Sequence, residues 1–219
     1  MRALLTGGTG KLGAALAELL RGAGWTVVAA GRADGDVSRP DEARALVERA
    51  VGELEGLDVL VNGAGAGFTP RAVAEVSETD WDEAFGATAK GSFFTTQAAA
   101  PHLARSRGLV IMLEDVAGLQ PWPSFAPHSA AKAAQSMLTK VLARALAPDV
   151  RVCGIAPGSV AVEAGSEARR AVETLVGRVG SPDDIAGAIL YLAGAEFVTG
   201  TTLVVDGGRL LQSGQASDA

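Results

Sequence analysis

Three residues in the middle of the chain carry side chains that could transfer a proton: Asp115, His128 and Lys132. Asp115 follows the wholly apolar run Leu109–Leu113, which is typical of a strand buried on both faces. His128 and Lys132 are four residues apart in a helical pattern, so both project from one face of the predicted helix. An acid, an imidazole and an ammonium beyond the end of a buried strand predict a centre for acid–base chemistry.

A glycine-rich loop, Thr6–Gly13, lies between an apolar run at residues 3–5 and an amphipathic helical pattern. A second apolar run, Trp25–Ala30, follows, so the order is strand, glycine turn, helix, strand, as in a dinucleotide-binding unit. Glycines let backbone N–H groups approach a pyrophosphate at the positive end of the helix. The loop therefore predicts cofactor contacts at Gly7, Gly10, Lys11, Leu12 and Gly13.

The residue that follows the second predicted strand bears on the choice of cofactor. An acid there would bond the ribose 2′-hydroxyl of NAD, whereas a cation favours the 2′-phosphate of NADP. Arg32 occupies this region and predicts NADP(H), with Lys11 as a second cation. The alternative is that Arg32 only caps an exposed strand end. Three residues separate Arg32 from Asp36-Val37, where a further helix and strand would usually fit.

Strand-like and helical patterns alternate along the chain, which predicts a mostly parallel sheet covered on both faces. We expect an α/β fold, a single-domain, Rossmann-like, doubly wound parallel sheet of six or seven strands, shortened after the second strand. The domain should span residues 1–210, followed by a frayed tail at residues 211–219. Helices are predicted over Asp80–Leu103, Phe125–Ala147 and Glu163–Leu175, and from Pro182 onward with Ser181 as N-cap.

Composition limits the class of function. The 219 residues carry a formal net charge of −6 without a basic run, which argues against a nucleic-acid surface. Apolar residues make up 48% of the chain, but no apolar run approaches the roughly 18 residues of a membrane span. The single cysteine, Cys153, lies in an apolar run typical of the core. We expect a soluble, cytoplasmic protein with a small-molecule substrate and no metal, nucleic-acid or membrane partner.

Taken together, these motifs resemble the short-chain dehydrogenase/reductase family over nearly the whole chain. The resemblance is carried by Thr6–Gly13, Asn62-Gly63-Ala64-Gly65, Lys132, Pro157-Gly158 and Val205–Gly208. By resemblance, the further cofactor contacts are expected at Asp36, Val37, Asn62, Ala64, Gly65, Lys132, Pro157, Gly158 and Val160. Members of the family pair through their two long helices, so the resemblance also implies a homodimer or homotetramer.

Enzymes of this family transfer a hydride between a nicotinamide and a carbonyl or alcohol carbon, which implies four catalytic positions. A Tyr exchanges the proton, a Lys four residues later lowers the Tyr pKa, a Ser orients the substrate and an Asn supports a water relay. Of the four only Lys132 is present, and His128, Asp115 and Thr88 stand at the Tyr, Ser and Asn positions. The only tyrosine, Tyr191, lies in an apolar helical pattern and is expected to pack in the core.

Two functions stay open from the sequence. The leading one is an NADP(H)-dependent oxidoreductase acting on a small carbonyl, alcohol or imine compound, with His128 or a water in the role of the tyrosine. Asp115 would orient the substrate, as in the pteridine-reductase-like subset, which also has a cation in the glycine loop, as Lys11 is here. The alternative is a non-catalytic NADP-binding sensor or scaffold subunit, because most of the catalytic positions have changed.

Some candidate residues also have structural interpretations. His128 could be a satisfied histidine at a helix start, and Asp115 could accept hydrogen bonds from a backbone turn. The aromatic residues Phe68, Trp122 and Phe125 are expected on loops beside the nicotinamide, where they would favour an apolar or flat substrate.

Overall fold

The structure, a computed structural model, describes residues 1–65, 69–161 and 174–212. Its strands are β1 Arg2–Thr6, β2 Thr26–Ala30, β3 Val59–Asn62, β4 Leu109–Leu113, β5 Arg151–Pro157 and β6 Thr202–Val205. Its α-helices are α1 Lys11–Gly22, α2 Pro40–Leu54, α3 Glu78–Phe85, α4 Gly91–Ser106, α5 Ala126–Leu146 and α6 Pro182–Gly194. The six strands form one parallel sheet in the order β2-β1-β3-β4-β5-β6.

Helices cover both faces of this sheet. Leu4 and Leu5 on β1 are both fully buried, and they belong to different apolar clusters because successive strand residues point to opposite faces. The cluster on one face joins the sheet to α1 and α6 through Leu16, Leu20, Ile185 and Ile189. The cluster on the other face joins it to α2, α4 and α5 through Leu46, Leu103 and Leu142. The predicted single-domain, doubly wound α/β fold is therefore confirmed.

The connection after β2 is short, as the sequence predicted. β2 ends at Ala30, and one 3₁₀ turn over Arg32–Asp34 leads towards α2. The Asp34 carboxylate accepts a hydrogen bond of 2.8 Å from the N–H of Gly31, which closes the turn. Within the described residues no further strand pairs with β2, so β2 forms one edge of the sheet.

Two helix predictions differ from the structure or lie beyond it. The predicted helix Asp80–Leu103 is α3 and α4 joined by a π-helical turn, Gly86–Lys90. The predicted helix Glu163–Leu175 lies outside the described residues except for its last two positions, and the tail beyond residue 212 lies outside them as well. The start of α6 agrees with prediction, because Ser181 is its N-cap and Pro182 its first residue.

Two expectations from composition concern the fold. Cys153 is fully buried in β5 and belongs to the apolar core, as predicted. In the described part of the chain, no helix has the length and apolar character needed to cross a membrane.

Candidate active site

A large cleft of about 1550 Å³ opens at the carboxyl ends of the strands. This is the edge of an open α/β sheet where ligands bind. The cleft is lined by the glycine loop and also by Asp115, His128 and Lys132, so the structure brings the two predicted sites together. The predicted cofactor residues that line it are Gly7, Gly10, Lys11, Leu12, Gly13, Arg32, Asp36, Val37, Ala64, Gly65, Lys132, Pro157, Gly158 and Val160.

The glycines of the loop are required by close backbone contacts. Gly7 has a φ of +71°, and a Cβ atom there would lie 2.5 Å from the carbonyl oxygen of Gly63. A Cβ atom on Gly13 would lie 2.2 Å from the carbonyl oxygen of Gly7. The loop thus folds onto itself just before α1 begins at Lys11, and the first turn of α1 presents backbone N–H groups at the cleft. This arrangement of glycines and a helix N-terminus fits the pyrophosphate of a dinucleotide.

Asn62 is the one predicted cofactor residue that does not line the cleft. Its buried side chain donates a hydrogen bond of 2.9 Å to the hydroxyl of Thr96 and so connects β3 to α4. The hydroxyl of Thr6 accepts the N–H groups of Gly63 and Ala64 at 3.2 and 3.3 Å, which holds the loop after β3 against β1. Asn62 therefore stabilises the strand beside the cleft, and the backbone that follows Asn62 lines the cleft itself.

Arg32 lies at the β2 end of the cleft. Its side chain is 70% exposed, and its Nε lies 3.9 Å from Oδ2 of Asp36. Hydrogen bonds from the side chain and backbone of Ser38 lower the pKa of Asp36, so this carboxylate is ionised. The contact with Arg32 is long and exposed, which makes it weak. A phosphate could therefore recruit the guanidinium of Arg32 at little cost.

Asp115 and His128 form a pair at the end of β4. Nε2 of His128 lies 3.3 Å from Oδ2 of Asp115, and the imidazole side chain is only 15% exposed. The other carboxylate oxygen of Asp115 accepts the N–H of Ala117 at 2.8 Å, as the N-cap of the 3₁₀ turn Val116–Gly118. Asp115 thus does accept from a backbone turn, and the same bond orients its second oxygen towards His128.

Lys132 lies one helical turn after His128 and is buried. Its ammonium donates to the carbonyl oxygen of Leu113 at 2.6 Å and to the side-chain oxygen of Gln135 at 3.1 Å. Burial lowers the pKa of Lys132 from 10.5 to about 8, and the carboxylates of Asp115 and Glu114 partly oppose this shift. At neutral pH the side chain is therefore mainly an ammonium, held close to the carboxylate–imidazole pair.

Comparisons with known proteins identify the family to which the chain belongs. The family model described as enoyl-(acyl carrier protein) reductase matches residues 10–209. A 3beta-hydroxysteroid dehydrogenase 1 of Eggerthella lenta is 35% identical over 246 residues, covering 96% of this chain and 94% of that protein. The chain belongs to the short-chain dehydrogenase/reductase family.

Solved structures of this family have the same fold. An apo SCOR enzyme from Clostridium thermocellum superposes with a TM-score of 0.87 at 26% identity, covering 99% of this chain and 96% of that one. A mutant short-chain dehydrogenase/reductase from Serratia marcescens gives a TM-score of 0.83 at 27% identity, covering 94% and 96% of the two chains.

Sequence reasoning missed a second acid in this short-chain dehydrogenase/reductase, Glu114. Its carboxylate is 3% exposed and accepts three hydroxyl groups: Ser136 at 2.7 Å, Thr139 at 2.6 Å and Thr202 at 3.0 Å. A Cβ atom on Gly154 would lie 2.0 Å from Oε1 of Glu114, so the glycine makes room for the carboxylate. The adjacent acids Glu114-Asp115 at the end of a strand were a visible signal, but local sequence does not reveal the three hydroxyl partners.

A cation was also missed on the opposite side of the cleft from Arg32. The guanidinium of Arg209 lies 4.9 Å from the ring centroid of Trp122 and donates to the hydroxyl of Ser159 at 2.9 Å. Arg209, Ser159, Trp122 and Phe125 all line the cleft, and a position of the two aromatics beside the nicotinamide stays a prediction. Phe68 lies outside the described residues.

Two residues considered from the family pattern have clear positions. Thr88, at the position of the family's Asn, is buried in the π-helical turn and does not line the cleft. Tyr191 was expected to pack in the core, and this was wrong: its side chain is 59% exposed on α6. The helix is apolar on its buried face, and Tyr191 lies on the other. Tyr191 does not line the cleft, so it does not supply the missing phenol.

Proposed function

We propose that the protein is an NADP(H)-dependent oxidoreductase that transfers a hydride to or from a small carbonyl, alcohol or imine compound. The observation that carries the proposal is the 3.3 Å pair of His128 and Asp115, which lines the same cleft as the glycine loop and the buried Lys132. Family membership supports a nicotinamide cofactor, and the preference for NADP(H) rests on the cations Arg32 and Lys11.

The residues present fit a bound dinucleotide. The close-packed glycines leave room for a pyrophosphate at the start of α1, and Lys11 is the first residue of that helix. Arg32 and Lys11 would hold the 2′-phosphate, and Lys132 would hold the hydroxyls of the nicotinamide ribose. When bound, the nicotinamide supplies the hydride in reduction and takes it up in oxidation.

His128 replaces the tyrosine as the group that exchanges a proton with the substrate oxygen. In reduction, protonated His128 donates its Nε2 proton to that oxygen as the carbonyl carbon gains a hydride, and the product is an alcohol. In oxidation, neutral His128 takes the hydroxyl proton back. Asp115 is the counter-ion of the imidazolium, and its backbone bond to Ala117 fixes the position of the pair.

The cofactor preference is tested by calorimetric titration of the protein with NADPH and with NADH. NADPH is expected to bind more tightly, and Arg32→Ala should weaken NADPH binding by about 10-fold or more while changing NADH binding little. Arg44→Ala, which removes another exposed arginine on α2, is the matched control. Equal affinity of the wild-type protein for both cofactors would refute the preference, and no affinity for either would refute the function.

The proton-transfer role is tested by His128→Gln, with NADPH oxidation measured against a panel of small aldehydes, ketones and imines. Loss of a positioned acid should lower the rate by about 10²–10⁴-fold, while NADPH binding persists. His128→Tyr tests the family's own acid at the same position. If the wild-type protein binds NADPH tightly and turns over nothing, but His128→Tyr does, the non-catalytic sensor or scaffold becomes the better account.

We also propose a homodimer or homotetramer, which family membership favours. The described surface carries exposed apolar side chains on α5, which is one of the two long helices, and also on α6: Met137 and Val141 on α5, and Leu190 and Tyr191 on α6. Such residues are consistent with subunit contacts, since large exposed apolar patches mark interaction sites. Size-exclusion chromatography with light scattering should give two or four times the mass of the 22.1 kDa chain, and a monomer would refute the proposal.

A further inference from the structure

The turn that follows β6 holds a cation in a defined position. Arg209 is the first residue of the 3₁₀ turn Arg209–Leu211. The carboxylate of Asp206 accepts the N–H of Gly208 at 2.7 Å and the N–H of Leu210 at 2.8 Å. Because both oxygens of Asp206 bind backbone on either side of Arg209, they fix the direction in which the arginine leaves the main chain.

The guanidinium connects two loops of the cleft. It lies over the ring of Trp122, at 4.9 Å from the ring centroid, and donates to the hydroxyl of Ser159 at 2.9 Å. Trp122 in turn makes an edge contact with Phe125, with 6.0 Å between ring centroids. A cation over an aromatic face and a hydrogen bond to a hydroxyl both reduce the conformational freedom of the arginine, so the guanidinium is preorganised.

This cation is distant from the residues assigned to the cofactor phosphates. Arg32 follows β2 and Arg209 follows β6, the two edges of the six-stranded sheet. Five strand spacings of about 4.8 Å separate those edges by roughly 24 Å. The Asp115 and His128 pair lies at the end of β4, two spacings or roughly 10 Å from β6. Arg209 is therefore on the substrate side of the reaction centre.

We propose that Arg209 and Ser159 form a subsite for a carboxylate of the substrate. One guanidinium can hold a protein hydroxyl and a ligand carboxylate together, because it carries five N–H donors in a planar fork. Trp122 and Phe125 line the same cleft as this subsite and His128, and their rings suit a flat apolar body. The substrate class is thus a carbonyl compound with a carboxylate roughly 10 Å or less from the reacting carbon. This assignment rests on the proposed reductase function.

The subsite is tested with two aldehydes that differ mainly in charge, 4-carboxybenzaldehyde and methyl 4-formylbenzoate. With NADPH at saturation, Arg209→Gln should lower the ratio of kcat/KM for the acid to kcat/KM for the ester by about 10- to 100-fold. The loss should appear in KM for the acid, and Arg209→Lys should recover part of it because it restores the charge without the fork. Arg44→Gln is the matched surface control and should leave both reactions unchanged.

A ratio that Arg209→Gln does not change would overturn the subsite, and so would an equal loss for both aldehydes, which would indicate a structural role. If the wild-type protein reduces neither aldehyde, the reductase function fails for these probes, and binding decides the subsite independently. In that case ligand-observed NMR should detect 4-methylbenzoate, but not its methyl ester, on the NADPH-bound protein, and Arg209→Gln should abolish the signal. Equal signals for the acid and ester, or an acid signal that survives the substitution, would refute it.

Discussion

Replacing Lys132 by methionine should change how the stability of the apo protein depends on pH. The ammonium of Lys132 is buried, and burial lowers its pKa from 10.5 to about 8. Because the charged form is disfavoured in the folded state, the unfolded chain binds the proton more tightly. Below pH 8 the protonated lysine therefore destabilises the fold, and this penalty disappears as the pH rises towards 10.5.

The size of the effect follows from the two pKa values. Their difference, from 10.5 to about 8, corresponds to a penalty of about 3 kcal/mol at pH 7. By pH 9.5 the folded state has lost the proton and the unfolded state mostly keeps it, so roughly 1 kcal/mol of the penalty is left. The wild-type protein should therefore gain roughly 2 kcal/mol between pH 7 and pH 9.5 relative to Lys132→Met, which has no ammonium at this position.

The measurement is urea unfolding of both proteins, without cofactor, at several pH values between 7 and 9.5. The quantity to plot is the free energy of unfolding of the wild-type protein minus that of Lys132→Met, since titrations elsewhere cancel in this difference. Lys140→Met removes an exposed ammonium from the same helix and controls for the loss of one charge. A difference that stays flat, or that falls as the pH rises, would refute the assignment of a destabilised buried ammonium.

Two further predictions concern the acid that lies next to this lysine. Glu114→Gln removes a carboxylate that raises the pKa of Lys132, so the pH-dependent gain in stability should move to lower pH in the same urea experiment, and an unchanged profile would contradict it. Gly154→Ala places a Cβ atom 2.0 Å from Glu114 Oε1 and should destabilise the fold by about 1–3 kcal/mol. Gly187→Ala on α6, where no atom lies within 4 Å of the new Cβ, should instead stabilise it by up to about 1 kcal/mol, so equal effects in denaturant would refute the packing argument.

The architecture could be predicted from sequence because its signals are local. Buried parallel strands are short apolar runs, and the helices between them have regular spacing and clear end signals, as at Ser181 and Pro182. The absence of a further helix and strand between Arg32 and Asp36 could be predicted because only three residues separate them. The π-helical turn Gly86–Lys90 could not, because its hydrogen bonds depend on how α3 and α4 pack against their neighbours.

The candidate site was predictable where the order of strands and helices alone determines which residues meet. Asp115 ends a strand and His128 starts the next long helix, so topology alone brings them to the same edge of the sheet. Glu114 and Arg209 depend instead on partners that are distant in sequence. Glu114 receives hydroxyls from α5 and β6, and Arg209 meets loops that precede α5 and follow β5. Neither residue belongs to a local motif that could have revealed these contacts.

In the proposed mechanism, the replacement of tyrosine by histidine limits how the proton reaches the substrate. When Nε2 of His128 carries a proton, the carboxylate oxygen of Asp115, 3.3 Å away, can accept its hydrogen bond. A substrate oxygen can receive this proton only by taking the place of Asp115 as its acceptor. Asp115 is therefore both a counter-ion of His128 and a competitor of the substrate. The carboxylate of Asp115 also raises the pKa of Lys132 and so favours its ammonium form. Asp115 therefore interacts with both His128 and Lys132.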